Sequence, residues 1–491
     1  MPTTKELATF FKNKGFIYPS SEIYGGLAGF YDYGHTGTKL KHNFENLWRK
    51  YFLSLDDNYF EIDTAQIMHE NVFKASGHLE NFMDPVAISE SGHFERADHL
   101  IEKATGKRAE GLSIPEMKEI ITKNNIKCPV SGTKIVDVKT LNLMFSVSLG
   151  ANGSPGYLRP ETAQSPYVNF RLQYELQRKK LPLGLALVGK AFRNEISPRN
   201  LTLRQREFTQ AELQIFFNPA KVDEHPDFSS VKEYPLQVVL VADRESNMTV
   251  ERTPQMLLNE GLPQFYVYHL VKIQQFYLDT LKISKDKFRL YQLDDKEKAF
   301  YNKYHFDIEI ELSEHGFTEM GGLHYRTDHD LKGHQEVSKQ TMVIHDEESN
   351  SKFIPHVLEL SFGVDRNVYA LLDLNYDNDQ ERGNAIMHLP PQLAPFFCAV
   401  FPLVKNKPDV VKKAKEVQAL LKQSFPCYYD ESGTVGRRYA RADELGVRYC
   451  LTVDFDSLDD HSITIRDRET TKQERVPVSS LKERLSQLFI K

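Results

Sequence analysis

The sequence predicts an α+β protein: an antiparallel sheet flanked by helices, followed by a smaller C-terminal α/β domain. Three observations carry this. Residues 185–195, apolar and ending in charge, and 207–217, with one apolar face, are two strands joined by a basic loop, the pattern of a hairpin. Residues 306–312 and 354–362 read as further strands, the second running through Gly363 into a helical segment that ends at Leu374. After His388-Leu389-Pro390-Pro391, a linker by composition, short strands and helices follow one another to the end of the chain. A chain of 491 residues is long enough for about two to four domains. The expected division is 1–390, carrying insertions at about 97–140 and 223–294, and 391–491.

Composition narrows the class. Apolar residues make up 40% and charged residues 26%, as in soluble globular proteins. No apolar run reaches the length of a membrane span, and the N-terminal MPTTKELATFFKNKGF lacks the apolar core of a secretory signal. A cytoplasmic protein without membrane contact is therefore expected. Cys128, Cys398, Cys427 and Cys450 form no CxxC pair and are expected as buried free thiols. Net charge is −6, unevenly spread: residues 391–491 hold 17 Lys+Arg against 14 Asp+Glu, a net +3, and the remainder is −9. The C-terminal piece is thus the basic one.

In chain order, 25–37 is Gly- and Tyr-rich and turn-dense, 39–53 has apolar residues at helical spacing, and 59–67 alternates as a strand. Residues 102–139 are charged and punctuated by Pro and Gly. Pro160 ends a strand and brings Glu161 close to a helix start, where a carboxylate is stabilised. In the hairpin, alternation sets Arg193 and Glu195 on one face of its first strand. On the second strand Ala211, Leu213, Ile215 and Phe217 make an apolar face, with Gln210, Glu212 and Gln214 opposite. A polar sheet face has a plain reading as a wetted surface. Residues 266–281 form a long amphipathic helix, Glu319-Met320-Gly321-Gly322 ends an element, and 377–382 is a charged break. The last hundred residues read as strand 396–404, helix 408–424, strand 426–430, helix 435–445, strands 447–453, 461–466 and 472–478, and helix 479–489. Arg437, Arg438 and Arg441 put cations on the first turns of one helix, against its dipole, either as surface charge or for function.

Four stretches together resemble the class II aminoacyl-tRNA synthetases in the form of the glycyl-tRNA synthetases: RPETAQ at 159–164, FRNE with a basic loop and RQREFTQAE at 192–212, EMGGLHYRTDHDL at 319–331 and ELSFGVDR at 359–366. The likeness holds from about Gly15 to the C-terminus. It departs in three places. No proline stands in 59–70, His35 replaces the proline of the YDYG turn, and Ser131 follows Cys128-Pro129-Val130 where many relatives carry a second zinc-binding cysteine. With that thiol missing, no zinc is expected.

The resemblance implies ATP-dependent attachment of glycine to tRNA(Gly) through a glycyl-adenylate, with Mg²⁺, by a homodimer whose C-terminal domain binds the anticodon end. It implies that Arg193, Glu195, Glu319 and Arg366 are catalytic. Glycine would be held by Arg96, Glu161, Phe208, Glu212, Glu359 and Ser361. ATP would be held by Arg193, Asn194, Glu195, Leu203, Arg204, Arg206, Glu207, Phe208, Glu319, Met320, Gly363 and Arg366, with Glu319 on Mg²⁺. The chemistry suits these residue types. A carboxylate attacks the α-phosphorus and pyrophosphate leaves, so two anions must meet and positioning with charge stabilisation does the work. Arginine's planar fork binds phosphate and carboxylate alike. Three acids around one ammonium also fill the volume a larger side chain needs. Two other readings are a non-catalytic RNA-binding paralogue, which the retained Arg193, Glu195, Glu319 and Arg366 oppose, and an amino-acid ligase without tRNA, which the basic C-terminal domain opposes.

Overall fold

The computed structural model describes residues 2–490, apart from 108, 110, 152, 247 and 348. Its centre is a nine-stranded sheet. In spatial order the strands are Val250–Arg252, Leu236–Val239, Phe288–Gln292, Tyr304–Leu312, Gly316–Thr327, His356–Gly363, Glu207–Phe217, Leu183–Phe192 and Tyr59–Glu61. Pairing is antiparallel except between Leu183–Phe192 and Tyr59–Glu61, and between Leu236–Val239 and Phe288–Gln292.

Register decides what each face carries. Leu213, Leu360 and Leu323 stand in one cross-strand row, all fully buried. The rows on either side place Glu212 beside Ser361 and Ser361 beside Gly322, then Gln214 beside Glu359 and Glu359 beside His324. Because side chains alternate along a strand, these two polar rows share the face opposite the leucines. The apolar face is covered by the helices His35–Phe52, Val364–Leu374 and Gln264–Gln275. His35–Phe52 buries Leu40, Phe44, Trp48 and Phe52 at a spacing of four. Each such side chain contributes roughly 1.5–3 kcal/mol, so this helix is a core element.

Several boundaries differ from the sequence reading. The first hairpin strand ends at Phe192 rather than Glu195, since the chain turns where the apolar run stops, although the Arg193 N–H still donates to the Arg206 carbonyl at 2.8 Å. The strand expected over 59–67 is only Tyr59–Glu61, and Ile67–His69 joins a separate sheet with Ser146–Leu149 and Ser154–Leu158. Glu319 to Gly322 lies inside a strand. A Cβ on Gly321 would come within 2.1 Å of the Ser361 carbonyl oxygen, so a glycine there permits the strands' approach. The charged stretch 377–382 closes a hairpin between Tyr376–Asp379 and Asn384–Met387.

The two proposed insertions behave differently. Over 97–140, of which 108 and 110 lie outside the described residues, helices Ala97–Thr105 and Ile114–Lys123 pack on the sheet of Met83–Ser89, Phe94–Arg96 and Ile135–Asn142. They share a separate core that includes Leu100, Ile101, Met117, Ile121 and Val138. Residues 223–294 instead supply three strands to one edge of the central sheet. Cys128 is buried in a turn closed by the Gly132 N–H on its carbonyl, and all four cysteines are free.

The C-terminal elements follow the pattern read from the sequence to within a few residues. A sheet ordered Cys427–Tyr429, Cys398–Pro402, Tyr449–Val453, Ser462–Asp467, Gln473–Pro477 is packed by helices Pro408–Lys422, Val435–Glu444 and Leu481–Ile490. The three arginines of Val435–Glu444 divide. Arg438 is buried and donates to the carbonyls of Pro402, Ser432 and Gly433, and Arg441 pairs with Asp430 at 2.5 Å. Arg437 faces solvent. This unit meets the rest of the chain through His388 on Glu469 at 2.7 Å, Arg468 on the Leu389 carbonyl at 3.0 Å and Lys14 on Glu444 at 2.5 Å.

Candidate active site

A cavity of about 250 Å³ opens over the polar face of the central sheet. Acids line its inner end: Glu161 from the loop before the helix Gln164–Leu176, Glu212 from the second hairpin strand, and Glu359 from His356–Gly363. Arginines line its outer end, which continues into a second cavity of about 610 Å³ sharing Arg193, Glu195, Leu203, Arg204, Glu319 and Arg366.

The inner end is a connected network. Ser361 Oγ and Gln210 Nε2 donate to Glu212 Oε1 at 2.9 and 2.8 Å. Gln214 Nε2 donates to Glu359 Oε2 at 3.0 Å and Glu212 Oε2 at 3.4 Å. Arg326 Nη1 donates to the same Glu359 oxygen at 3.0 Å, while His324 Nδ1 lies 2.6 Å from Oε1. Gln164 Nε2 bridges Glu161 at 2.9 Å and Asp330 at 3.0 Å, and His78 Nε2 is 3.6 Å from Glu161.

These partners split the acids. Burial, followed by the charges of Glu359 and Glu161, pushes the Glu212 carboxyl up to about 8. Burial also pushes on the other two, but His78 and Arg326 hold Glu161 well below the ordinary range, and Arg326 and His324 hold Glu359 down to about 2. The result is two carboxylates and one neutral acid facing one small space, an arrangement that accepts a cation and ionises fully when one arrives.

At the outer end, Arg366 sits on the first turn of Val364–Leu374. Its Nε donates to the Leu203 carbonyl at 3.1 Å, and its Nη1 to the Glu319 carbonyl at 3.1 Å and carboxylate at 3.1 Å. The turn is fixed by buried Asp365, which accepts from Tyr33 Oη at 2.6 Å and Lys41 Nζ at 3.0 Å. Arg193 Nε donates to the Pro160 carbonyl at 3.0 Å, and its guanidinium lies 5.3 Å from the Phe208 ring centre. Glu195 is clamped by Arg204 at 2.7 Å.

Of the residues singled out from the sequence, Glu161, Arg193, Glu195, Leu203, Arg204, Phe208, Glu212, Glu319, Met320, Glu359, Ser361, Gly363 and Arg366 line the cavity. Four do not. Arg96 lines the adjoining cavity and pairs with Asp84 and Asp98 at 2.9 and 2.5 Å. Arg206 turns away, its Nε on the Glu195 carbonyl and its Nη1 on the Ala28 carbonyl, so it braces the loop. Glu207 pairs with Lys190 at 3.1 Å across the hairpin. Asn194 donates its N–H to the Leu143 carbonyl at 2.7 Å, tying the hairpin turn to that segment. Sequence reasoning set Gln210 and Gln214 on the polar face with Glu212 without giving them a role, and missed His78, Gln164, His324 and Arg326. For the last two a signal existed: Leu323-His324-Tyr325-Arg326 alternates apolar with basic residues along a strand.

With this geometry in hand, comparisons with known proteins bear on the chain. The model of the tRNA synthetase class II core domain (G, H, P, S and T) matches residues 150–375, and that of the anticodon binding domain matches 398–488. The glycine–tRNA ligase of Pyrococcus furiosus is 36% identical over 98% of this chain and 98% of that protein. The glycine–tRNA ligase of Thermococcus kodakarensis is 35% identical with the same coverage. Among solved structures, prolyl-tRNA synthetase from Cryptosporidium parvum, complexed with halofuginone and AMPPNP, has a TM-score of 0.58 at 14% identity and covers 99% of this chain and 75% of that one. At that identity the likeness is one of fold.

Proposed function

The chain belongs to the glycine–tRNA ligase family of class II synthetases, and from that premise we propose how its cavity activates glycine with ATP. The reaction is attachment of glycine to tRNA. The observation that carries the division of labour is that one cavity gathers Glu161, Glu212 and Glu359 at one end and Arg193, Arg204 and Arg366 at the other.

Glu161, Glu212 and Glu359 receive the glycine ammonium, and Ser361 walls the space beside its α-carbon. The glycine carboxylate points outward to Arg193, which neutralises it and the α-phosphate as attack begins. Arg366 holds the far end of the triphosphate, aimed by its bonds to the Leu203 and Glu319 carbonyls. Glu195, with one oxygen held by Arg204, offers its other oxygen to the adenine amino group, and Phe208 takes the base against its ring. Glu319 is an exposed carboxylate beside Arg366, a hard oxygen donor where the phosphates would lie, and it fits Mg²⁺ arriving with ATP. Such an ion would offset the charge of the phosphates. Family membership also supports a homodimer, which sedimentation at micromolar concentration would test.

Glycine alone is expected to support ATP–pyrophosphate exchange. Comparable exchange with alanine or serine would overturn the assignment of the pocket.

The unit beginning after Pro391 is proposed to hold the anticodon end of the tRNA. Arg438 is buried and Arg441, though partly exposed, is held on Asp430, so Arg437 is the arginine of that helix offered to RNA. Arg437→Ala should weaken tRNA in the charging reaction several-fold, as loss of one phosphate or base contact does, and leave pyrophosphate exchange unchanged. Equal charging by variant and wild type at limiting tRNA would refute this.

A further inference from the structure

We propose that His324, braced by His305, walls the glycine site over Gly322 and keeps out amino acids that carry a β-carbon. The inference rests on the reading of the pocket given above.

Register brings the two imidazoles to this place. His305, His324 and Glu359 form one cross-strand row, and Asp307, Gly322 and Ser361 form the next. Both rows lie on the polar face of the sheet. Gly322 is the one of the six without a side chain, and the space over it is filled from the neighbouring row. A Cβ on Gly322 would meet Nε2 of His324 at 2.7 Å and Nε2 of His305 at 3.2 Å. The ring tips thus lie over Gly322, beside Ser361 in the register, and both rings line the cavity with Ser361 and Glu359. With the ammonium on the acids and the α-carbon beside Ser361, the space over Gly322 is where a β-carbon would turn.

This wall has little freedom to yield. His324 Nδ1 stands 2.6 Å from Glu359 Oε1. Burial disfavours a proton on the ring, but the charge of Glu359 outweighs it, so the imidazole keeps its proton to higher pH than usual. His305 backs it edge-on, with ring centres 4.1 Å apart and planes at 75°. His305 Nε2 is in turn 2.9 Å from Asp307 Oδ1. Swinging His324 aside would break its ion pair or drive it into His305. A methyl group pressed on such a surface is unfavourable at once, and glycine brings none. A plainer role for His324 is to pair with Glu359. That role concerns charge alone and predicts only weaker glycine binding when the ring is lost. A wall predicts a gain of activity.

The test is ATP–pyrophosphate exchange on the full chain with glycine, alanine and serine, beside melting curves. His324→Ala should raise alanine-dependent exchange about tenfold or more over wild type, the size of effect one methyl group has in a fitted pocket. His305→Ala, which removes only the brace, should give a smaller rise, and the double substitution one at least as large as His324→Ala. His324→Phe keeps a ring over Gly322 without the ion pair, so its glycine KM should rise while alanine exchange stays at the wild-type level. Wild-type alanine exchange in both His324→Ala and the double variant overturns the inference. So does alanine exchange in His324→Phe equal to that in His324→Ala, which would leave His324 a charge partner of Glu359 only. If His324→Ala does not fold, His324→Ser makes the same decision. Absence of glycine-dependent exchange in wild type, or wild-type exchange that takes alanine as readily as glycine, would strike the pocket reading itself.

Discussion

Arg366→Ala is expected to abolish glycine-dependent pyrophosphate exchange while the protein keeps its melting temperature. Arg366 is about one-third exposed, and its bonds go to the Leu203 and Glu319 carbonyls and the exposed Glu319 carboxylate. Solvent can replace those contacts in the variant, so little stability is at stake. The reaction has no such substitute. Charge moves onto the departing pyrophosphate, and a fixed guanidinium meets it without reorganisation. Loss of one such contact costs about 2–4 kcal/mol, or roughly a hundredfold or more in rate. Exchange within a few-fold of wild type, with melting unchanged, would remove Arg366 from the reaction.

Glu212→Gln is expected to raise the glycine KM about tenfold or more, leave the ATP KM unchanged, and stabilise the protein in alkaline solution. The stability sign follows from the carboxyl's surroundings. Its folded pKa of about 8 lies above the ordinary 4.5. Between those values the unfolded chain ionises this group and the folded chain keeps it protonated. The wild type therefore loses stability as pH rises from about 4.5, and the loss is complete once pH passes about 8. Glutamine carries no charge to desolvate, and its melting curve should be flatter and higher above pH 8. Glycine acts on the same group: its ammonium favours the ionised form, so binding below pH 8 releases a proton. The wild-type glycine KM should improve toward pH 8, and that of the variant should not. An unchanged glycine KM in the variant would take Glu212 out of the pocket, and lower melting at pH 8.5 would contradict the sign of the charge effect.

Local pattern determined much of this protein from sequence. Alternation along 207–217 separates Leu213 from Glu212 before any partner strand is known, and helical spacing marks Leu40, Phe44, Trp48 and Phe52. The strand and helix order after Pro391 is similarly a property of short windows. The wording of four stretches identified the family and nominated most residues that line the cavity. What only the tertiary structure decided lies in long-range register and in the ends of strands. Arg206 and Glu207 sit beside Phe208 in sequence yet point to the Glu195 carbonyl and Lys190, because side chains diverge where a strand begins. Arg438 reads as a first-turn cation, for surface charge or for function, and is buried on three carbonyls. Glu161, Glu212 and Glu359 look alike in sequence, yet one is held neutral and two charged. A carboxyl's charge depends on which cations fold brings within a few ångströms, and the shared one, Arg326, is 165 residues from Glu161 and 33 from Glu359. No short window of sequence contains that distance.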